Sequence, residues 1–362
     1  MEDSHMKKTD VISLVLVALL LFSACSERDE YTTDPLANFK ALWKQIDESY
    51  CFFEYKNIDW DAIHDKYSVQ ISDSMNRYQL FDVLGKMLAE LKDGHTNLIS
   101  TFNISRFWNW HEDYPDNFNT VVHRKYLGTD YCIAGGLRYR ILEDSIGYVY
   151  YGDFSSIVSD THLDEMFLHF RDCYALIFDV RNNTGGTLTH SERIAARFAT
   201  EKLTAGYIVH KTGPGHQDFS APYPIQLSPS KRVRWLRPVA LLTNRTCYSA
   251  TNDFVCKMKL FNQVTVIGDR TGGGCGLPFH AELPNGWSVR FSSSPMLNAQ
   301  KEITEYGIDP DIKIDIVESD QLNNIDTIIE VAISHLKTKT AGTVLSSLST
   351  VSDAQGQDFS LR

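Results

Sequence analysis

Apolar positions along the chain fall into three successive patterns. From 36 to 92 they recur at helical spacing: Phe39, Leu42, Trp43 and Ile46, then Tyr78, Leu80, Phe81, Leu84, Leu88 and Leu91. Between these two stripes Phe52, Phe53, Tyr55 and Trp60 form an aromatic cluster suited to packing. The segment closes on Asp93-Gly94, a helix stop followed by a turn. Residues 97–145 are aromatic and turn-rich, with shorter runs that suggest strands and loops. Past 146 four short apolar runs read as strands, over 146–151, 174–180, 239–243 and 264–268. The second is almost wholly apolar, as strands covered on both faces are. Helical patterns over 163–170, 188–200 and 250–260 alternate with these strands. That alternation predicts an α/β core with a largely parallel sheet. The expected units are an N-terminal helical subdomain over 36–96, a small β-rich linker region over 97–145 and a core over 146–340. A Ser/Thr-rich flexible tail is expected over 341–362.

The beginning of the chain reads differently. Lys7 and Lys8 precede an apolar run over 11–22, shorter than the about 20 residues a membrane-crossing helix needs. A basic head, a short apolar core and small residues before a cut site describe a secretory signal over 1–24. Leu21-Phe22-Ser23-Ala24-Cys25 resembles a bacterial lipobox, with Phe22 where Leu is usual. The resemblance implies that Cys25 carries a lipid anchor and that 25–35 is a tether. Its acidic Ser26-Glu27-Arg28-Asp29-Glu30 is similar to the export tethers of surface lipoproteins. A cell-envelope location, at a bacterial and most simply the outer membrane, follows as an expectation. An ordinary signal with an incidental Cys is the alternative.

Composition narrows the partners. A net charge of −11, from 35 basic and 46 acidic residues, argues against nucleic acid or an anionic membrane surface. Membrane contact is expected through the lipid anchor only. Six cysteines follow Cys25 without a CxxC pair, which favours buried thiols over a disulfide framework. HExxH is absent and the histidines are scattered, so no metal site is expected.

Three segments carry candidate chemistry. In Thr246-Cys247-Tyr248-Ser249-Ala250-Thr251-Asn252 an apolar strand gives way to a helical pattern opening at Ser249. A hydroxyl there meets unpaired N–H groups and the positive helix end, which suits a nucleophile whose product is an anion. An ordinary Ser N-cap explains the same pattern. In Ile177-Phe178-Asp179-Val180-Arg181-Asn182-Asn183-Thr184-Gly185-Gly186 a buried strand runs into a turn with paired glycines. Such a turn brings backbone N–H groups close to a ligand, or is only a turn. In Leu91-Lys92-Asp93-Gly94-His95-Thr96 a His follows a tight turn, either free to reach another element or merely solvated.

In this order the three segments resemble peptidase family S41, the C-terminal-processing and tricorn-core serine peptidases. Ile146-Gly147-Tyr148-Val149 and Tyr306-Gly307-Ile308-Asp309-Pro310-Asp311 fit the same pattern. The resemblance implies a crotonase- and ClpP-like spiral ββα core, and it makes 146–340 the peptidase core. It puts the nucleophile at Ser249 and the oxyanion donors at Ala250 and Gly186 or Gly185. The processing branch pairs its Ser with a Lys on a later loop. Here that loop reads Asp269-Arg270-Thr271-Gly272-Gly273-Gly274, without Lys. The chain is therefore more similar to the tricorn-like branch, whose base is the His of the "GH" segment, here His95. In that branch a Ser before the His and a Glu near the "GIDPD" segment complete a relay. Gly94 holds the first position here, leaving Thr96 as the hydroxyl, and Glu305 or Glu302 is the acid. The 50 residues of 96–145 are too few for a PDZ domain.

The implied partner is a peptide or protein substrate, with no cofactor. A catalytically inactive peptide- or ligand-binding lipoprotein on the same scaffold is the alternative. An acyl-thioester enzyme fits poorly with an envelope location. The Gly-rich loop at 272–276 lacks the Lys-Ser/Thr ending of a phosphate cradle.

Overall fold

The computed structural model describes residues 31–339. The expected signal over 1–24, the Cys25 anchor, residues 25–30 of the tether and the tail over 341–362 lie outside the described residues. Among the described residues no helix is long and apolar enough to cross a membrane.

The N-terminal periodicity resolves into the helices Pro35–Ser49, Phe53–Lys56, Trp60–Ser68 and Arg77–Ala89. The first starts where Asp34 accepts from the Ala37 N–H, with Pro35 at a position that needs no N–H. The last starts at a reciprocal capping box between Asn76 and Gln79. Their apolar faces do not close on themselves. Phe39, Leu42, Leu84 and Leu88 share one buried cluster with Val289, Phe291 and Cys275 of the following layers.

The strands are β1 (Asn97–Ile99), β2 (Cys132–Ala134), β3 (Leu137–Ile141), β4 (Ile146–Tyr151), β5 (Ala175–Asp179) and β6 (Leu203–Ile208). They continue with β7 (Tyr223–Leu227), β8 (Val239–Thr243), β9 (Val264–Gly268), β10 (Gly276–Glu282), β11 (Ser288–Leu297) and β12 (Ile312–Lys313). Seven form one sheet in the order β12-β9-β8-β5-β4-β3-β2. Neighbours from β12 to β4 run parallel, while β3 and β2 add antiparallel pairs at one edge. Every residue of β5, β8 and β9 is buried, because helices cover both faces. Phe178, Leu241, Phe254 and Phe198 pack on one face. Ile177, Leu242, Ile267 and the 327–339 helix, through Ile328 and Ala332, pack on the other. A smaller sheet has the order β1-β11-β6-β7, with β10 paired to β11. It lies under the N-terminal helices.

The expected linker over 97–145 is not a separate unit. Strand β1 pairs with β11, and β2 and β3 extend the main sheet beside β4. Its apolar runs were too short to reveal partners so distant in sequence. The six described cysteines are unpaired, four of them buried.

Candidate active site

In an open parallel sheet the loops at the carboxyl ends of the strands form the natural crevice. Here β5, β8 and β9 end side by side at Asp179, Thr243 and Gly268, and their loops are stitched together. The Tyr248 N–H donates to the Asn183 carbonyl at 3.2 Å, and the Gly272 N–H to the Cys247 carbonyl at 2.8 Å. The Asn244 side chain accepts from the Asn182 N–H at 2.9 Å. Beneath them Arg181 is fully buried between Asp179, at 2.7 Å, and Asp326, at 2.9 Å. Burial alone would raise the Asp179 carboxyl, but the Arg181 charge holds it below its usual range.

Ser249 stands between β8 and the Ala250–Met258 helix with φ 58° and ψ −120°. This is the first central position of a type II′ turn, a conformation that suits Gly and strains Ser. The Ser249 side chain makes no capping bond, so the ordinary N-cap explanation fails. Its N–H donates to the Gly273 carbonyl at 2.8 Å. Its Oγ lies 2.9 Å from His95 Nε2, across 154 residues of chain.

His95 is buried, not solvated: only 3% of it is exposed. Its N–H donates to Asp93 Oδ1 at 2.8 Å, which fixes the turn. The Tyr248 ring lies 4.9 Å from the imidazole and stacks on Trp110 at 4.1 Å. Burial pushes the imidazole pKa down to about 4, and the Arg290 and Lys56 charges add to that. The Asp93 carboxylate and the nearby Gly276 backbone oppose it. His95 Nδ1 has no partner of full hydrogen-bond geometry, although the Gly276 backbone lies beside the ring. For Nε2 to accept from Ser249, the neutral ring carries its proton on Nδ1.

The relay expected around this His is arranged differently. A Cβ at Gly94 would meet Trp110 Nε1 at 2.6 Å and the Tyr248 hydroxyl at 2.9 Å. The indole therefore occupies the space a bridging Ser side chain would use. Thr96 is buried and its hydroxyl is unpartnered, so it does not stand in. Glu305 does not bond to the imidazole. It accepts from Lys56 Nζ at 2.8 Å and from the Cys275 N–H at 3.0 Å. Burial and the Asp93 charge push its carboxyl up to about 7, with Lys56 opposing. Glu302 is exposed and bonded to Asn298 at the surface.

The glycine turn abuts Ser249. A Cβ on Gly185 would lie 2.8 Å from Ser249 Cβ and 2.9 Å from the Ala250 nitrogen. The Gly185 N–H is engaged by Asn183 Oδ1 at 2.9 Å, so Gly185 contributes close approach rather than a donor. The N–H groups of Gly186 and Ala250 bond to nothing among the described residues. Both are free to receive a developing anion.

A cavity of about 290 Å³ opens beside Ser249 and Gly186. Ala205, Ile225, Leu277, Met296 and Leu297 supply apolar walls. Asp253 and Lys257 line it as a pair, with Ser191 bonded to Asp253 at 2.6 Å. Arg290 borders it on the His95 side. The sequence pattern missed Lys56, Trp110 and Arg290, whose neighbours carry no chemical motif. Asp93 was in view within the His95 segment but had no assigned task.

Residues 145–314 match the family model of peptidase family S41, and residues 31–89 that of the tricorn protease C1 domain. A candidate peptidase from Parabacteroides merdae, solved by crystallography, is 59% identical with a TM-score of 0.81. That match covers 84% of this chain and 97% of the other. Mature CPAF shares the fold, with a TM-score of 0.64 at 11% identity over 84% of this chain and 96% of its own. A candidate tricorn-like protease C-terminal subunit from Sulfurisphaera tokodaii is 30% identical over 174 residues, 45% of this chain and 18% of that protein. The chain thus spans about a fifth of the length of the curated relatives it matches. Ordered loops at one sheet edge, the α/β fold around them and these matches lead to one assignment: the chain belongs to peptidase family S41.

Proposed function

We propose that the protein is a serine peptidase acting by acyl transfer, with Ser249 as nucleophile and His95 as general base. One observation carries the reading: the 2.9 Å contact of Ser249 Oγ with His95 Nε2, made by a Ser held in a strained turn. Oγ attacks a peptide carbonyl carbon while His95 Nε2 takes its proton, and the carbonyl π electrons move to oxygen. The N–H groups of Gly186 and Ala250 meet that oxyanion. Collapse expels the amine, which takes the proton from His95. Water then enters by the same steps in reverse and releases the acid. The cavity walls suit an apolar side chain next to the scissile bond, because Ala205, Ile225, Leu277, Met296 and Leu297 line it and the Asp253 and Lys257 charges answer each other.

We further propose action in the cell envelope through a lipid at Cys25. The basic head, short apolar run and lipobox-like 21–25 support this reading.

A fluorophosphonate tests the chemistry, because such probes phosphonylate activated hydroxyls, with loss of fluoride, and spare ordinary ones. Wild-type protein is expected to be labelled once, at Ser249. Ser249→Ala should abolish labelling, and His95→Ala should slow it by at least about 1,000-fold. Folded wild-type protein that stays unlabelled across pH 5–9 would sink the peptidase reading and favour a binding scaffold.

A further inference from the structure

Lys56 ends the short helix Phe53–Lys56, far from the motifs that build the site, yet its side chain is only 2% exposed. Its ammonium lies 2.8 Å from Glu305 and 3.7 Å from Asp93, and it donates to the Lys92 carbonyl at 3.2 Å. Tyr50 closes the other side, donating its hydroxyl to Asp93 Oδ2 at 3.0 Å. A buried cation between two buried carboxylates is costly to break, because removing one partner strands the others without solvent.

What those carboxylates hold gives the cluster its meaning. Asp93 accepts the His95 N–H and so sets the backbone that carries the base. Glu305 accepts the Cys275 N–H through its side chain and the Gly274 N–H, at 3.1 Å, through its carbonyl. The adjacent Gly273 carbonyl accepts the Ser249 N–H. One ammonium therefore ties both the base loop and the loop under the nucleophile to the N-terminal helices. We propose that Lys56 is a positioning residue, whose buried charge braces the His95 and Ser249 loops against each other and against the N-terminal helical layer. This inference rests on the serine-peptidase reading.

A structural brace alone would affect stability, but this one also faces the base electrostatically. The charged and titratable groups around His95 include Asp93, Lys56, Arg290 and Tyr248, and those around Lys56 include Asp93, Glu305, Tyr50, Cys51, Tyr55 and Tyr306. Among them Lys56 and Arg290 disfavour the imidazolium and Asp93 favours it. Loss of the Lys56 charge should therefore raise the pH at which His95 protonates.

The experiment measures fluorophosphonate phosphonylation of full-length wild type, Lys56→Met, Lys56→Arg and Glu305→Gln against pH, with the His95 imidazole titration followed by NMR. Lys56→Met is expected to slow phosphonylation by about 100-fold, through misplaced reacting groups. It should also move the His95 midpoint up by at least about half a unit. Lys56→Arg should keep the wild-type midpoint while losing rate, since it keeps the charge and not the shape. Glu305→Gln, near-isosteric, should slow phosphonylation by about tenfold or more above about pH 8, where wild-type Glu305 is charged, and serves if Lys56→Met does not fold. Wild-type rate and midpoint in folded Lys56→Met, or wild-type rate in Glu305→Gln above that pH, would overturn the proposal. Wild type that titrates normally but is never phosphonylated would instead overturn the peptidase reading, leaving the NMR midpoints to judge Lys56.

Discussion

As the proposed base, buried His95 should work at unusually low pH. With only 3% of the residue exposed, the imidazolium has lost nearly all its water. A fall from 6.5 to about 4, at about 1.4 kcal/mol per unit, sets about 3 kcal/mol against protonation. The second-order rate of reaction with a fluorophosphonate reports the free protein's base. Glu305, pushed up to about 7, adds a step of its own near that pH, which Glu305→Gln removes. In that variant the His95 limb is therefore expected near pH 4, with a plateau through pH 5–6 where a solvated His would already be failing. Linkage adds a second signature. Between about 6.5 and about 4 the unfolded chain binds more protons at this position than the folded one. Stability should therefore fall as pH drops through that window, by up to about 3 kcal/mol from His95, and His95 adds no further loss below it. His95→Gln should flatten that slope in thermal unfolding. An acidic limb at or above pH 6.5 in folded Glu305→Gln would refute the claim that burial governs this imidazole.

Gly185→Ala should cut phosphonylation by at least about 100-fold with the fold retained by circular dichroism, because its Cβ would lie 2.6 Å from the Tyr248 carbonyl at φ 104°. A rate within about threefold of wild type would show that the turn tolerates a side chain. Ile225→Asp places a carboxylate on the apolar wall. Chloromethyl ketones bearing Leu should then react at least about tenfold more slowly and those bearing Lys faster, while an unchanged ranking would mean that this cavity does not read the substrate. Cys25→Ala should release the protein from the membrane fraction of its native host, and a wild-type protein already soluble after fractionation would end the lipid-anchor reading.

The core was legible because burial writes itself locally. Strands covered on both faces must be largely apolar, and 174–180, 239–243 and 264–268 are, so β5, β8 and β9 could be anticipated. The proposed pair was legible for a related reason: Ser249 and His95 sit at strand and helix ends where Gly and turn residues mark the backbone. What those residues touch was not. That Asn183 engages the Gly185 N–H, that Trp110 fills the space beside Gly94, and that Glu305 answers Lys56 rather than His95 depend on side chains brought together only by folding. Lys56 and Glu305 stand 249 residues apart, and neither has a periodicity that names its partner. An apolar residue needs only some interior, which its spacing announces. A buried charge needs one particular opposite charge, and only the folded chain decides which one shares its loss of water.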